Sequence, residues 1–314
     1  MKILVIGAGA IGGYFGGRLL EAGRDVTFLV RPKRAALLAE TGLVIKSSQG
    51  DAALKAPSTI QARELKRPFD LVLLSLKAYD LEDAIDSFAP AVGPETAILP
   101  LLNGMGHLDV LDRRFGKDRV LGGECVIAAT LGDRGQILHL NDLHQLVFGE
   151  RSGDTSPRIE AITREFAGSK TDARASKRIM LDMWEKWVFI AAGAGISCLM
   201  RAAIGDIEAA GGAPLMRKLL EECRAVAASA GFPPRPEFLE RADATFTAPG
   251  STLTASMLRD IERGGRIEAD QIIGDLIRRG ENVLPQDALL RLIHVQLKAY
   301  EARRAREQPQ AAKR

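Results

Sequence analysis

The sequence predicts an α/β protein with an N-terminal doubly wound sheet followed by an all-helical C-terminal domain. Its first half alternates apolar, strand-like runs with helical stretches, which is typical of a parallel sheet covered by helices. Runs of β-branched residues disappear in the second half, which is mostly helical from Lys177 onward. A chain of 314 residues is long enough for two domains. We place the boundary near residues 168–176, so that residues 1–170 form the first domain and residues 171–314 the second.

The elements of the first domain follow one another in a strand–helix order. Apolar runs predict strands at residues 1–6, 25–30, 69–76 and 96–102. The helical stretches between and after them are a first one that ends near residues 22–23, and others at 35–40, 81–89 and 105–115. Three further strands, at residues 120–130, 137–140 and 145–148, are expected to form a meander that closes the domain.

A glycine-rich turn joins the first strand to the first helix, and it reads Gly7-Ala8-Gly9-Ala10-Ile11-Gly12. In this pattern Gly7 permits a tight turn, Gly9 lets the backbone approach a pyrophosphate, and Gly12 lets the helix lie close to the strand. The N–H groups at the start of the helix then face the phosphates. The strand, turn and helix together predict a Rossmann-type sheet with a dinucleotide site that includes Ala10 and Ile11.

The end of the second predicted strand indicates which dinucleotide is bound. An acidic residue there would hold the ribose 2′-hydroxyl of NAD, but the chain reads Leu29-Val30-Arg31-Pro32-Lys33-Arg34. Three cations occupy the segment, and a guanidinium suits a 2′-phosphate. We therefore predict that Arg31 binds the 2′-phosphate and that the cofactor is NADP(H).

Composition narrows the class of protein. The chain is 46% hydrophobic and 26% charged, and its net charge of +3 is too small to favour nucleic acid or a membrane as partner. Three widely spaced cysteines indicate a reducing compartment, no signal peptide is visible, and residues 187–200 are too short to cross a bilayer, so we expect a cytoplasmic protein.

The four histidines are scattered and none has metal-ligand spacing with another, so we expect no metal site. The expected partner is a small molecule, a homodimer is left open, and the basic tail from Arg303 to Arg314 is interpreted as a solvated end.

Several polar residues are candidates for chemistry. Lys77 and Asn103 follow predicted strands at the edge where open α/β sheets bind ligands, although a surface lysine and a simple turn are the plainer alternatives. Lys186 stands between two tryptophans at the head of an apolar run, where it either extends its ammonium to solvent or acts as a general acid. Ser256 is compatible with a helix N-cap, and Glu268 with an acid in a first helical turn.

Six segments occur in an order that resembles the ketopantoate reductase family, whose members are 2-dehydropantoate 2-reductases. They are GAGAIGGYFGGRL at the N-terminus, Val30-Arg31, SLKAYD at 75–80, NGMG at 103–106, WEKW around Lys186, and SMLRDIERGGRIEAD at 256–270. The resemblance implies a Rossmann domain and a helical domain with the active site in the cleft between them. It also implies reduction of 2-dehydropantoate to (R)-pantoate by NADPH, a step of pantothenate biosynthesis.

The resemblance further implies a role for each candidate residue. Lys186 is the proton donor to the substrate carbonyl oxygen, and Ser256 binds the substrate carboxylate. Asn103 lies near both nicotinamide and substrate. Lys77 and Arg31 contact the cofactor, and Glu268 contributes from the cofactor side. With these roles, Lys186 stabilises and protonates the oxygen on which alkoxide charge develops.

The chain departs from the family at four polar positions. The family has asparagines one and two turns after the lysine, and here these positions are Ile190 and Ala194. Two further family asparagines align with Ile204 and Leu253. These four apolar residues would leave the distal hydroxyl of 2-dehydropantoate without a hydrogen-bond partner, which costs about 1–3 kcal/mol when the hydroxyl is buried. A more apolar 2-oxo acid is therefore an alternative substrate, with Ile190 and Ala194 lining its site. A non-catalytic NADPH-binding protein is a third hypothesis, against which the retention of Lys186, Ser256 and Glu268 argues.

Overall fold

The computed structural model describes residues 1–311 and divides into two compact units. The first unit comprises Met1–Leu102 and His107–Asp182, and the second comprises Asn103–Gly106 and the chain from Met183 onward. The expected boundary at residues 170/171 lies before this division, because residues 172–175 form a strand that pairs within the first unit. The last residues of the predicted basic tail, 312–314, lie outside the described residues.

The first unit contains ten strands among the described residues, numbered here in chain order. They are β1 (Lys2–Ile6), β2 (Asp25–Leu29), β3 (Leu43–Lys46), β4 (Ala52–Leu54), β5 (Thr59–Ile60), β6 (Leu71–Leu74), β7 (Ala97–Pro100), β8 (Gly122–Leu131), β9 (Ile137–Gly149) and β10 (Asp172–Ala175). Its helices are α1 (Ala10–Glu21), α2 (Pro32–Thr41), α3 (Leu81–Phe88), α4 (Gly106–Phe115) and α5 (Pro157–Phe166). The first residue of α4, Gly106, belongs to the second unit.

The first sheet is parallel throughout and has the order β5-β2-β1-β6-β7. From β1 the chain adds β2 and β5 on one side and then returns to add β6 and β7 on the other, and Ile3 of β1 is in parallel register with Leu71 of β6. Every residue of β6 and β7 is buried, as expected for strands covered on both faces. The predicted doubly wound sheet is confirmed, and its switch point lies beside the glycine-rich turn.

The second sheet has the order β10-β9-β3-β4, with β8 pairing antiparallel to β9. The prediction of two separate strands at 137–140 and 145–148 is wrong, since β9 is continuous over Ile137–Gly149. Pairing with β8 along its length, interrupted only by an irregularity between Ile127 and Ala129, carries β9 through the polar residues in its middle. The short strands β3, β4 and β10 have too few residues to show a pattern in the sequence.

Helix α1 is buried against both sheets, which explains its many glycines. A Cβ at Gly16 would lie 2.7 Å from Phe28 of the first sheet, and one at Gly17 would lie 2.8 Å from Ile45 of the second. Larger side chains on these faces would force the sheets away from the helix. The glycine-rich first helix is therefore a packing requirement of the fold as well as part of a cofactor signature.

The described part of the second unit is helical, as predicted. It contains α6 (Ile179–Met200), which begins at the end of the first unit, α7 (Ile204–Ala209), α8 (Ala213–Ser229), α9 (Pro236–Phe246), α10 (Ser256–Glu262), a π-helix (Asp270–Gly274), α11 (Asp275–Arg279) and α12 (Leu289–Ala311). Helix α6 contains the apolar run at residues 187–200, and Val188, Ala191 and Ile196 on it are almost completely buried. No helix in the described residues is both long enough and apolar enough to cross a membrane.

Candidate active site

The glycine-rich turn has the geometry of a phosphate-binding turn. Gly7 has φ +90°, and its N–H donates to the Leu29 carbonyl at 3.0 Å, which closes the turn against β2. A Cβ at Gly9 would meet no heavy atom within 4 Å, whereas one at Gly12 would clash with Ser75 Oγ and the Gly7 carbonyl. Open space at Gly9 and tight packing at Gly12 are the two properties that a dinucleotide turn requires.

The start of α1 is also free to receive an anion. Gly9 is the N-cap and provides no side-chain hydrogen bond to the first-turn N–H groups. Ala10 and Ile11 form the half-buried first turn, and neither has a side chain that accepts a hydrogen bond. The residues present therefore fit the pyrophosphate of a dinucleotide cofactor, which would be held by backbone N–H groups and the helix dipole.

The cations after β2 differ in their surroundings. Arg31 is the N-cap residue of α2, and its exposed side chain has no hydrogen-bond or ion-pair partner among the described residues. Arg34 is half-buried and donates from Nε to the Ala8 carbonyl at 2.9 Å. The sequence pattern placed both arginines near the cofactor, but the contact of Arg34 with the turn was not predicted.

Lys77 lies three residues after β6, at the carboxyl edge of the first sheet. It is half-buried and is the residue before a short 3-10 turn, Ala78–Asp80. Ser75, between β6 and Lys77, donates to the Ile6 carbonyl at 3.0 Å and so ties the ends of β6 and β1 together. Lys77 is thereby placed at the same edge as the glycine-rich turn.

In the second unit, Lys186 is flanked in sequence by two buried aromatic residues of α6. The ring centroids of Trp184 and Trp187 are 5.0 Å apart, and both rings are buried. The carboxylate of neighbouring Glu185 accepts from the backbone N–H of Arg235 at 2.8 Å and from its guanidinium. Lys186 itself is half-buried and has no hydrogen-bond or ion-pair partner among the described side chains, those of residues 1–307. Its ammonium is therefore available to a ligand.

The segment that follows β7 is seated on the π-helix. Gly104 has φ +75°, and a Cβ there would lie 2.5 Å from the Gln271 carbonyl and 3.9 Å from the Trp187 ring. Trp187 donates from Nε1 to the Ile272 carbonyl at 2.9 Å. The structure thus brings together the Asn103 turn, the helix of Lys186 and the segment after Glu268. Asn103 is half-buried, with no hydrogen-bond partner for its amide among the described residues.

Ser256 and Glu268 occupy different environments in the second unit. Ser256 is exposed and is the first residue of α10, whereas Ala255 occupies the N-cap, so the N-cap alternative for Ser256 is wrong. Glu268 is buried and comes just before Ala269 and the π-helix rather than in a first turn; its carbonyl accepts from Ile272 N at 2.9 Å. The π-helix was not predicted, and such segments are frequent at functional sites.

The four apolar replacements are not equivalent. Ile190 is half-buried and Leu253 is 41% exposed, so both offer apolar surface. Ala194 and Ile204 are 4% and 1% exposed and belong to the core of the helical unit. Ile204 N donates to the Leu253 carbonyl at 3.0 Å, which joins these two positions.

The first unit is a doubly wound sheet with a phosphate-binding turn, and the second is helical and carries an unpaired lysine. This combination of fold and site is typical of a two-domain, dinucleotide-dependent oxidoreductase. The family model described as ketopantoate reductase PanE/ApbA matches residues 3–153, and the model of its C-terminal part matches residues 178–301. The chain belongs to the ketopantoate reductase family, and the resemblance in its sequence motifs is confirmed.

Relatives and solved structures agree with this assignment. An uncharacterized oxidoreductase, YkpB of Bacillus subtilis (strain 168), is 40% identical over 96% of this chain and 99% of its own. The crystal structure of 2-dehydropantoate 2-reductase from Geobacter metallireducens GS-15 has a TM-score of 0.86 at 28% identity, covering 95% of this chain and 99% of its own. A ternary structure of D-mandelate dehydrogenase with NADH and anilino(oxo)acetate has the same TM-score, 0.86, at 21% identity, covering 97% and 100%, and shows a shared fold.

Proposed function

We propose that this chain catalyses the NADPH-dependent reduction of a 2-oxo acid to a 2-hydroxy acid, with the conversion of 2-dehydropantoate to (R)-pantoate as the first candidate reaction. The observation that carries the proposal is the half-buried, unpartnered ammonium of Lys186. In the proposed reaction a C–H and an O–H bond form as the C=O bond is reduced. When bound, NADPH supplies the hydride that is added to C2.

Lys186 is suited to supply the proton. The nearest carboxylate in sequence, that of Glu185, is already bound to Arg235, so it does not neutralise the ammonium. The Nζ of Lys186 donates a hydrogen bond to the substrate carbonyl oxygen and gives up its proton as negative charge develops there. The buried rings of Trp184 and Trp187 pack α6, the helix that carries Lys186, into the second unit.

Two polar side chains are proposed to orient the substrate. The exposed hydroxyl of Ser256, at the N-terminus of α10, binds the carboxylate of the 2-oxo acid. This hydroxyl does not cap the helix, because Ala255 is the N-cap residue. The neighbouring Gly104 packs closely against the Gln271 carbonyl and so holds the Asn103 turn in place. The Asn103 amide binds the substrate near its reacting carbon. The buried carboxylate of Glu268, two residues before the π-helix, is proposed to act from the cofactor side of the site. The side chains of Ser256 and Asn103 have no hydrogen-bond partner among the described side chains, residues 1–307, which supports a role for both in binding a ligand.

Arg31 is proposed to select NADPH over NADH. Its exposed guanidinium, at the start of α2 and directly after β2, is free to form a forked pair with a 2′-phosphate. Lys77 supports the same cofactor from the end of β6. We infer that neither residue contributes to the proton transfer, so their loss acts on cofactor binding.

A second candidate function is favoured by Ile190. This half-buried isoleucine stands one turn after Lys186, where the family resemblance implies an asparagine. An apolar residue there favours an alkyl or aryl 2-oxo acid by about 0.8 kcal/mol for each methylene that becomes buried. The chemistry of Lys186 is the same for both candidates, and only the substrate differs.

A substrate panel tests both candidates. The wild-type chain is assayed by NADPH and NADH oxidation with 2-dehydropantoate, a branched alkyl 2-oxo acid and an aryl 2-oxo acid. Turnover with NADPH and at least one acid is expected, and kcat/KM identifies the substrate class. A hundredfold preference for 2-dehydropantoate would exclude the apolar candidate. Binding of NADPH without turnover of any acid would instead indicate a non-catalytic NADPH-binding protein.

A further inference from the structure

Arg34 joins three chain segments around the glycine-rich turn. Its Nε donates to the Ala8 carbonyl at 2.9 Å, and its Nη1 donates to the Gly135 carbonyl at 2.9 Å. Ala8 is the central residue of the turn, and Gly135 belongs to the loop that joins β8 to β9. The backbone N–H of Arg34 donates to the Arg31 carbonyl at 3.0 Å, so α2 is the third segment.

The guanidinium of Arg34 is closely enclosed. Gly135 has φ +74°, and a Cβ there would lie 2.5 Å from Nη1 of Arg34 and 2.5 Å from Leu37. Nη2 is buried and has no hydrogen-bond partner among the described residues. Burial also lowers the pKa of Arg34 below its ordinary value. A buried donor without a partner is unfavourable, and the two bonds to backbone carbonyls offset part of that cost.

The Ala8 carbonyl matters because the peptide bond is planar. When Arg34 holds the oxygen of Ala8, the direction of the Gly9 N–H in the same peptide is fixed as well. Gly9 is the N-cap of α1 and borders the open space of the turn. Arg34 therefore fixes the direction of the Gly9 N–H, the backbone donor that immediately precedes the first turn of α1.

We propose that Arg34 is a positioning residue that holds the glycine-rich turn in its cofactor-binding conformation and links it to the β8–β9 loop. This inference rests on the proposed function, because it takes the turn to be a dinucleotide site. NADPH and NADH share the pyrophosphate, so loss of Arg34 weakens both cofactors by a similar factor. Loss of Arg31, in contrast, weakens NADPH alone. The buried position of Nη2 agrees with this division, since protein atoms separate it from solvent.

The test measures dissociation constants for NADPH and NADH by calorimetric titration, together with Tm, for the wild type and four variants. Arg34→Ala is expected to raise both constants about tenfold, the effect of losing two hydrogen bonds of modest net strength. Arg34→Lys is expected to weaken both as well, because an ammonium keeps the charge but not the fork. Arg31→Ala weakens NADPH selectively.

Arg24→Ala is the matched control. Arg24 also donates to backbone carbonyls of the first unit, those of Glu165 and Ala167 at 2.9 Å each, but away from the turn. We expect it to lower Tm without changing either dissociation constant. If Arg34→Ala does not fold, Gly135→Ala replaces it, since the added Cβ displaces the guanidinium and leaves Arg34 in the chain.

The outcomes separate this inference from the proposed function. A loss confined to NADPH in Arg34→Ala would make Arg34 a 2′-phosphate ligand and overturn the positioning role. Unchanged constants in both Arg34 variants would also overturn it. A wild-type chain that binds neither cofactor would overturn the proposed function itself.

Discussion

At the scale of single residues, Lys186 combines a half-buried position with an ammonium that no described side chain neutralises. A packing role and a catalytic role make different predictions for such a lysine, because a proton donor contributes only as the carbonyl is reduced. The flanking rings of Trp184 and Trp187 supply packing without it. A variant of Lys186 can therefore lose turnover while it still binds the cofactor.

Lys186→Ala is expected to abolish turnover and to leave the NADPH dissociation constant within about twofold of wild type, since the lost interaction forms mainly in the transition state. Steady-state kinetics and calorimetric titration measure the two quantities. Lys218→Ala, at an exposed lysine of α8, serves as the control and should change neither. If Lys186→Ala retains most of its kcat, the lysine is structural and the proposed mechanism is wrong.

The substrate preference is predicted to depend on Ile190 more than on Ala194. Both share the α6 face of Lys186, but Ile190 is half-buried whereas Ala194 is only 4% exposed. Ile190→Asn is therefore expected to raise kcat/KM for 2-dehydropantoate relative to an aryl 2-oxo acid by about tenfold, the value of one hydrogen bond gained. The ratio of kcat/KM values for the two acids is the measurement.

Ala194→Asn is expected to act chiefly on stability, because it introduces a polar amide into the helical core at a cost of about 1–3 kcal/mol. The paired change Ile190→Asn and Ala194→Asn should shift preference the same way as Ile190→Asn, from a less stable chain. A wild type that already prefers 2-dehydropantoate by a hundredfold would show that other residues supply the missing hydrogen bonds.

At the scale of elements, the turn between β1 and α1 uses its glycines for two separate purposes. A Cβ at Gly12 would collide with Ser75 Oγ and the Gly7 carbonyl, whereas a Cβ at Gly9 meets no neighbour. Gly12→Ala is therefore expected to lower the free energy of unfolding by about 1–3 kcal/mol through overpacking. Gly9→Ala should leave stability near that of the wild type but weaken NADPH and NADH alike.

Chemical denaturation and cofactor titration of the two variants provide the comparison, and each serves as the control for the other. Equal losses of stability in Gly9→Ala and Gly12→Ala would contradict the assignment of space at Gly9. Unchanged cofactor binding in Gly9→Ala would contradict a pyrophosphate site at this turn.

Strand β9 carries a pH-dependent contact with α1. His144 Nδ1 is hydrogen-bonded to the Tyr14 hydroxyl at 3.0 Å, and the His139 ring centroid is 5.9 Å from that of His144. Burial first, and then the charge of His139, lowers the pKa of His144 below 6.5, with Arg18 adding to this and Asp172 opposing it. The unfolded chain therefore takes up this proton more readily than the folded chain.

Stability from His144 is complete above about pH 6.5, the ordinary histidine value, and is lost as the pH falls through the lower pKa of the folded state. Urea unfolding at pH 7.5 and pH 5.5 is expected to show a smaller acid loss in His144→Gln than in the wild type. Below about pH 4.5 both chains should lose stability together, because Arg158 lowers the pKa of Glu150 in both. An identical loss between pH 7.5 and 5.5 in the two chains would exclude His144 as a source.

At the scale of the whole molecule, the chain passes between its two units more than once. Residues Asn103–Gly106 belong to the helical unit although the chain before and after them belongs to the first. The glycine-rich turn and Arg31 lie in the first unit, and Lys186 and Ser256 lie in the second. The residues proposed for cofactor binding thus lie in the first unit, and those proposed for proton transfer and substrate binding, Asn103 included, lie in the second.

NADPH is consequently expected to stabilise the first unit. At a concentration 100 times its dissociation constant, a ligand of the folded state adds about 2.7 kcal/mol, which for a unit of this size raises Tm by roughly 2–4 °C per kcal/mol. Scanning calorimetry with and without NADPH measures the shift, and Gly9→Ala at the same concentration is the control. No shift in the wild type would argue against a cofactor site in this unit.

The sequence by itself determined the parts of this protein that depend on neighbouring residues. The apolar runs predicted β1, β6 and β7, and the G-x-G-x-x-G pattern predicted the turn, because strand alternation and turn geometry are local properties. The order of motifs identified the family. The short strands β3, β4 and β10 and the helix α5 were not predicted, since partners elsewhere in the fold stabilise segments with weak patterns of their own.

Only the tertiary structure decided which distant residues meet. The bond from Arg34 to Gly135, the seat of Gly104 on Gln271 and the bond from Trp187 to Ile272 each join segments far apart in the chain. The burial of Ala194 beside a half-buried Ile190 is likewise a result of packing. Periodicity shows which face of an element is apolar, but the partner of that face depends on how all elements pack together, and no local pattern records it.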